Sequence, residues 1–149
     1  MGMQRMSSKV SKGKRKVNGT QTPKVANTSR AITDERGTLT VILEGNANIQ
    51  SVLLVTGKAG TVRANHYHKT DSHYVYLLDG EMEYTEKNMR KKNARKKSRI
   101  LQKGDLVFSP PFVAHAMRFV KDTVFLALAT AARDETSYEA DTVRVKLVG

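Results

Sequence analysis

The chain contains no cysteine among its 149 residues. It can therefore form no disulfide, no thiolate-ligated zinc site and no iron–sulfur cluster. It also lacks any apolar run near the ~20 residues that a membrane-spanning helix needs, and no apolar segment of a secretory signal precedes the first predicted strand. We therefore expect a cytoplasmic protein with no membrane partner. Organelle targeting by the basic N-terminal segment is the alternative.

Acidic residues are missing from two segments. Residues 1–30 contain eight Lys or Arg and no Asp or Glu, and residues 87–103 contain nine and none. Together they hold 17 of the 26 basic residues, so the remainder of the chain is mildly acidic although the net charge is +12. The basic charge thus belongs to a tail and a loop rather than to the folded core.

The N-terminal residues 1–29 also lack aromatic residues and apolar periodicity, and they are rich in Lys, Ser, Gly, Thr and Asn. Such a segment buries too little apolar surface to offset the entropy of ordering it. We predict a disordered basic tail over 1–29 and one folded domain over 30–149. The stretch 87–99 is predicted to be a protruding, solvated hairpin loop that is mobile when unbound.

No convincing amphipathic helix is present. From Ile32 onward, short β-prone runs alternate with turn signals, among which Asp79-Gly80 is typical of a two-residue hairpin. Many short strands at this spacing predict an all-β, antiparallel barrel or sandwich. The predicted strands lie near 38–43, 49–56, 62–67, 73–78, 81–86, 98–102, 105–108, 113–119, 123–129 and 142–147.

All four histidines fall into two spaced blocks. The blocks read Gly60-x5-His66-x-His68-x4-His73-x6-Gly80 and Gly104-x5-Pro110-x4-His115. Residues two apart on a strand share a face and lie roughly 7 Å apart, so His66 and His68 can converge on one ion. We predict a divalent transition metal (Fe, Zn, Ni, Mn or Cu), with coordination positions left open for water or substrate. The predicted ligands are His66, His68 and His115, with His73 as the fourth. Ordinary hydrogen-bonded barrel histidines are the alternative.

These two blocks resemble the paired motifs of the cupin superfamily, Gly-x5-His-x-His-x3–4-Glu-x6-Gly and Gly-x5-Pro-x-Gly-x2-His-x3-Asn. The resemblance covers residues 32–147 and implies a single antiparallel cupin β-barrel, a jelly roll or double-stranded β-helix that commonly pairs into homodimers. His66, His68 and His115 match the three family histidines. His73 stands in place of the glutamate, Phe112 in place of the second-block glycine, and Phe119 in place of the asparagine. Losing the carboxylate removes one negative charge and leaves the identity of the metal open.

Two shorter segments are similar to those of cupins that act on sugar nucleotides, such as dTDP-sugar epimerases, 3,4-ketoisomerases and capsular-polysaccharide enzymes. One is Asp-Glu-Arg-Gly at 34–37, and the other is the stretch 62–69 around His-x-His. The resemblance implies that Arg36 and Arg63 contact an anionic group such as a pyrophosphate, with Tyr76 nearby. It also implies that His66 or His68 is the proton-transferring base, as in the metal-free ketoisomerases of this group. The alternatives are a β-turn with a surface arginine, and tyrosines that only pack.

We therefore expect an enzyme similar to sugar-nucleotide epimerases and isomerases, with a small anionic substrate. The alternatives are a metal-dependent dioxygenase or lyase acting on a small organic acid, and a non-catalytic ligand-binding cupin. Nucleic-acid binding through the tail and loop is disfavoured, because no aromatic residue interleaves with the cations of 87–103. That loop is expected to be solvated, or to attract an anionic substrate.

Overall fold

The computed structural model describes residues 26–27, 31–45 and 47–149. Twelve strands and one short helix lie in this part of the chain. The strands are β1 (Ala26–Asn27), β2 (Ala31–Asp34), β3 (Gly37–Thr40), β4 (Ser51–Gly57), β5 (Val62–His68), β6 (His73–Asp79), β7 (Glu81–Asn88), β8 (Lys97–Gln102), β9 (Asp105–Ser109), β10 (Val113–Phe119), β11 (Thr123–Ala129) and β12 (Thr142–Arg144), and the helix is α1 (Glu135–Asp141).

The strands form two five-stranded antiparallel sheets and a separate hairpin. The first sheet has the order β1-β9-β6-β11-β4 and the second the order β12-β5-β10-β7-β8, while β2 and β3 form a separate two-stranded sheet. Their inward faces enclose one apolar core, which contains Val75, Leu77, Met82, Tyr84, Leu101, Val107, Met117, Phe119 and Phe125. The predicted all-β antiparallel fold is confirmed.

The predicted turn at Asp79-Gly80 is present and joins β6 to β7, but the predicted hairpin between these two strands does not form. Strand β6 pairs with β9 and β11 in the first sheet and β7 pairs with β8 and β10 in the second, so the turn connects the two sheets. Gly80 has a φ of +97°, and a Cβ atom added to it would lie 2.4 Å from the carbonyl oxygen of Asp122. Both the left-handed backbone conformation and the close approach require glycine at this position.

Several other local predictions also differ from the structure. Helix α1 was not predicted, because it has seven residues and no buried side chain; its N-cap is Asp134, whose carboxylate accepts a hydrogen bond from the Ser137 amide. Strand β2 was also missed. The predicted loop 87–99 is shorter, because β7 runs to Asn88 and β8 starts at Lys97. Strand β12 ends at Arg144, whereas it was predicted to continue to residue 147.

Most of the segment predicted as a disordered tail lies outside the described residues. Within it, residues 26 and 27 form β1, which pairs with Leu106 and Asp105 of β9. In the part of the chain that the structure describes, no helix has the length and apolar character that crossing a membrane requires.

Candidate functional site

The structure brings all four histidines into one cluster between the two sheets. His66 and His68 are on β5, His73 is the first residue of β6, and His115 lies on β10 directly opposite His66. The ring centroid of His66 lies 4.8 Å from that of His68 and 4.9 Å from that of His115. The His73 ring is 5.5 Å from His68 and 4.6 Å from His115. The alternation of side chains along each strand, which predicted this convergence, therefore holds in three dimensions.

A β-bulge in β5 sets the direction of His66. The pairing with β10 shifts register between His115 and Ala116, and both Ala64 and Asn65 have positive φ, +69° and +56°. The Asn65 side chain fixes this bulge to the C-terminal segment: it accepts hydrogen bonds from the amides of Leu147 and Val148 and donates one to the Val148 carbonyl. Bulges beside active sites commonly re-aim a side chain in this way.

Two histidines are oriented through their Nδ1 atoms. Nδ1 of His115 lies 3.2 Å from the carbonyl oxygen of Val113 and 3.2 Å from Oγ of Ser109. Nδ1 of His68 lies 3.4 Å from Oδ2 of Asp141 and 3.4 Å from Oγ1 of Thr142. A proton on each Nδ1 is shared with these acceptors, which leaves Nε2 as the free lone pair.

His73 and Asp71, which lie beside His68, differ in their hydrogen-bond partners. Nδ1 of His73 is buried and has no hydrogen-bond partner among the described residues, a condition that costs about 1–3 kcal/mol unless a ligand supplies one. The two oxygens of the Asp71 carboxylate differ: Oδ1 accepts hydrogen bonds from the amide and hydroxyl of Thr130. Oδ2 lies 3.0 Å from the Arg133 guanidinium as an ion pair, but among the described residues it accepts no hydrogen bond.

All four imidazoles are neutral at neutral pH. Burial, followed by the charges of the neighbouring histidines, lowers the pKa of His66 to about 3. Burial is also the main cause that lowers the pKa of His115 to about 4, and it lowers the pKa values of His68 and His73. The neutral ring is the form that accepts a proton or coordinates a metal.

The donor set fits a divalent transition metal. In two overlapping groups, His66–His68–His115 and His68–Asp71–His73, the potential ligand atoms lie within 4.8 Å of one another. Two nitrogens on one ion are at most about 4 Å apart, given bonds of about 2.0–2.1 Å, so small side-chain rotations complete either site. The first group fits better, because the Asp71 carboxylate is already occupied by Arg133 and Thr130.

The histidines line a cavity of about 230 Å³ whose other walls are formed by β4, β10, β11 and the α1 region. Arg133 and Tyr138 both line it, with the guanidinium of Arg133 4.9 Å from the centre of the Tyr138 ring. The Tyr138 ring lies 5.7 Å from the ring of His68 and 6.2 Å from that of His66. The cavity thus combines neutral bases, a phenol and a guanidinium.

The predicted substrate contacts are not all at this cavity. Arg63 lines it, and its Nε atom donates to the carbonyl of Thr56. Arg36 is on the exposed β2–β3 hairpin, where its guanidinium pairs with Asp34. Tyr76 is on the opposite face of β6 from His73 and is paired across the sheet with Leu106 and Leu126.

Sequence reasoning missed four polar residues of the site: Asp71, Arg133, Tyr138 and Asp141. The capping pattern of Asp134 followed by Ser137 is a signal for the start of α1. No sequence pattern indicates that this helix lies over the histidines, because that depends on how residues 130–144 return to pair with β5.

Comparison with known proteins identifies a family and several solved structures that resemble this chain. Residues 53–130 match the family model described as "Cupin domain", whereas no curated protein matches the chain. Among solved structures, a 3,4-ketoisomerase from Helicobacter canadensis is 25% identical, with a TM-score of 0.68 over 82% of this chain and 90% of that chain. A double mutant of a 3,4-ketoisomerase from Thermoanaerobacterium thermosaccharolyticum, in complex with TDP, is 26% identical, with a TM-score of 0.66 over 82% and 86%.

Two further solved structures share the fold of this chain at lower sequence identity. A mutant of that Thermoanaerobacterium ketoisomerase in complex with TDP-4-keto-6-deoxyglucose is 23% identical, covering 82% of this chain and 86% of that chain at a TM-score of 0.65. The dTDP-4-dehydrorhamnose 3,5-epimerase from Sulfolobus tokodaii is 15% identical, with a TM-score of 0.66 over 78% and 73%.

Proposed function

Since this chain belongs to the cupin family, we propose that it is an enzyme that isomerises or epimerises a nucleotide-activated sugar in the four-histidine cavity. The observation that carries this proposal is the contact between His68 and Asp141 at the cavity wall, 3.4 Å between Nδ1 and Oδ2. The similarity to two 3,4-ketoisomerases at 25% and 26% identity supports the choice of substrate class.

An isomerisation of this kind needs a general base that removes a proton from a carbon atom of the sugar. Moving a carbonyl group between neighbouring sugar carbons requires removal of a proton from the hydroxyl-bearing carbon beside the carbonyl and its return to the former carbonyl carbon. The proton of that hydroxyl passes at the same time to the former carbonyl oxygen. Nε2 of His68 is suited to both transfers, because Asp141 and Thr142 hold its Nδ1 and fix the ring orientation. His66, whose ring centroid is 4.8 Å away, is placed to relay the proton between the two carbons.

The positive charge of Arg133 and the hydroxyl of Tyr138 are suited to stabilise the negative charge that forms on the substrate oxygen. Removing the proton leaves an enediolate, and a cation or hydroxyl donor beside the developing oxyanion stabilises that transition state. The cavity of about 230 Å³ is smaller than the roughly 300–1,000 Å³ of pockets that enclose a whole drug-sized ligand. We infer that the sugar ring enters the cavity while the nucleotide remains at the entrance, near Arg63.

We also propose that the same cavity binds a divalent transition metal through His66, His68 and His115, with His73 as the fourth nitrogen. A bound ion of this kind supplies Lewis acidity to an oxygen atom of the substrate. Nε2 of His68 cannot coordinate an ion and accept a proton at the same time. The metal-bound form therefore belongs to the second candidate function, a metal-dependent dioxygenase or lyase acting on a small organic acid, which the small cavity and Arg133 also suit.

The test is incubation of the protein with TDP-4-keto-6-deoxyglucose in D₂O, with and without prior chelation of metal. Proton NMR is expected to show loss of the signal of the hydrogen on the carbon beside the carbonyl, together with the signals of a new keto sugar. The rate is expected to be the same with and without prior chelation. Exchange that requires added metal would move the assignment to the metal-dependent candidate. No exchange under either condition would refute a sugar-isomerase function for this substrate class.

We further propose that the protein is a homodimer. The outer face of the first sheet is apolar at its edge strand, where Val52 is 61% and Leu54 68% exposed. The hairpin β2–β3 presents exposed Ile32 and Leu39 and, in the part of the chain that the structure describes, forms a sheet of its own. Groups of exposed apolar side chains on a sheet edge and on a separate hairpin are typical of a protein interface. In such a dimer, Arg36 on the hairpin would be able to reach the partner's surface.

Leu54→Lys is expected to convert the dimer into a monomer, because it places a charge at the centre of the exposed apolar strand. Light scattering after gel filtration measures this as a fall from twice the 16.6 kDa chain mass to the chain mass itself. Val120→Lys, on a turn where the side chain is 48% exposed, is the matched control and is expected to remain dimeric. A wild-type chain that already runs as a monomer would contradict the proposal.

A further inference from the structure

The most basic surface of the described chain lies apart from the histidine cavity. We call residues 87–99, the end of β7, the connecting turn and the start of β8, the basic turn. It contains eight Lys or Arg and no acidic residue. Within the described residues, only Arg99 forms an ion pair, with Glu86, while Lys96 donates to the Leu147 carbonyl. The other cations have no carboxylate within 4.0 Å in that part of the chain, so the surface carries an uncompensated positive charge.

Aromatic side chains from distant parts of the sequence lie against this turn. The Arg90 guanidinium is 4.0 Å from the centre of the Phe112 ring, which is in turn 5.6 Å from the Tyr67 ring. Phe112 is anchored in a left-handed backbone conformation, with φ +60°: its amide donates to the His68 carbonyl, and its carbonyl accepts from the Met89 amide. The basic turn itself has no aromatic residue, but the fold provides a row of them beside it.

A groove of about 390 Å³ adjoins this row. It is lined by Asn88, Arg90, Lys91, Phe108, Pro110, Pro111 and Val113. The Phe108 ring packs on Tyr74 at 4.7 Å, which fixes its orientation. None of these lining residues lines the histidine cavity, so the groove is a separate site with its own chemistry of two cations, an amide and flat apolar surfaces.

We propose that the groove and the basic turn bind single-stranded nucleic acid. Phosphates would contact the cations of the turn, and unstacked bases would lie on the flat surfaces of Phe108 and Pro110 and on the planar guanidinium of Arg90, which covers the Phe112 ring. Sequence-independent binding of single strands combines these two features: a cationic track and aromatic surfaces that accept any base. An acidic peptide would use the cations but leave the apolar surfaces without a partner, so the single strand fits better.

The N-terminal segment strengthens the inference. Residues 1–25 add seven Lys or Arg and no acid. The next two residues form β1, which pairs with β9, the strand that also carries Phe108. Ala26 and Asn27, which directly follow this acid-free segment in the sequence, are thus paired with the strand that carries Phe108.

The test is fluorescence anisotropy of a labelled 20-nucleotide oligothymidylate with the full-length protein over a range of salt concentrations. The variant Lys91→Glu/Lys92→Glu is expected to bind about tenfold or more weakly, with the slope of log K against log salt reduced by about 2. The matched control Lys58→Glu/Lys121→Glu makes the same charge change in turns at the other end of the strands and is expected to change affinity less than about twofold.

Arg90→Lys separates stacking from charge. It keeps the positive charge but removes the planar group over Phe112, and it is expected to weaken oligothymidylate binding while leaving inorganic polyphosphate binding unchanged. Equal affinity for duplex DNA, polyphosphate and the single strand would overturn the proposal, since charge alone would then explain binding. An unchanged affinity in Lys91→Glu/Lys92→Glu would overturn it by assigning binding to the N-terminal segment. Capture of a poly-glutamate peptide in preference to the oligonucleotide would favour an acidic protein partner instead.

Discussion

Replacement of His68 by Asn is expected to lower kcat for sugar isomerisation by roughly 100- to 10,000-fold, the usual contribution of a general base. The asparagine amide group takes the position of Nδ1 and so keeps a donor towards Asp141, but the side chain is smaller and has no basic nitrogen that can accept a proton from carbon. KM is expected to change little, because the other cavity walls, including Arg133 and Tyr138, stay in place. The measurement is steady-state turnover of the keto sugar, with deuterium exchange recorded separately by NMR.

Two further variants identify how His68 acts. Asp141→Asn is expected to lower kcat by about 10- to 100-fold, since it keeps the hydrogen bond but removes the charge that orients and polarises the imidazole. Tyr76→Phe is the control, because Tyr76 lies on the face of β6 turned away from the cavity, and it is expected to behave as wild type. A His68→Asn protein that retains wild-type exchange would exclude His68 as the base and move that role to His66.

The outline of the fold and the meeting of the histidines followed from local patterns. Alternating strands, the Asp79-Gly80 turn and the two-residue spacing of His66 and His68 each depend on neighbouring residues, so their geometry is set by the backbone itself. His73 and His115 were placed by the two block motifs. These features account for most of the barrel and for the base of the cavity.

Other parts of the site depend on contacts between distant residues, and the sequence carries no local signal for them. Helix α1 has no apolar face, yet it brings Tyr138 and Asp141 to the histidines because β12 pairs with β5. Phe112 lies beside the basic turn only because its carbonyl bonds to Met89 across a chain separation of many residues. Residues 87–103 contain no aromatic residue, and the sequence carries no signal that the Phe112 ring lies 4.0 Å from the Arg90 guanidinium.

Zinc is expected to inhibit the isomerase, because the lone pair of His68 that would accept the proton is the same one that would coordinate the ion. At a Zn²⁺ concentration about 100 times its Kd, mass action leaves roughly 1% of the protein metal-free, so activity is expected to fall to about that level. Turnover measured across a zinc titration, together with metal content per chain by elemental analysis, checks this. Chelation is expected to restore activity.

Variants of residues that belong to only one of the two overlapping donor groups show which group binds zinc. His66→Ala/His115→Ala removes two of the three nitrogens of the first group and is expected to abolish stoichiometric zinc binding, as measured by elemental analysis and by loss of zinc-dependent thermal stabilisation. Asp71→Asn changes only the second group, whose carboxylate is already bound by Arg133 and Thr130, and is expected to retain about one zinc per chain. Zinc retained in the double variant but lost in Asp71→Asn would place the ion on His68, Asp71 and His73. Zinc that raises turnover instead of lowering it would show that His68 is not the base, because a coordinated imidazole has no lone pair left with which to take the proton.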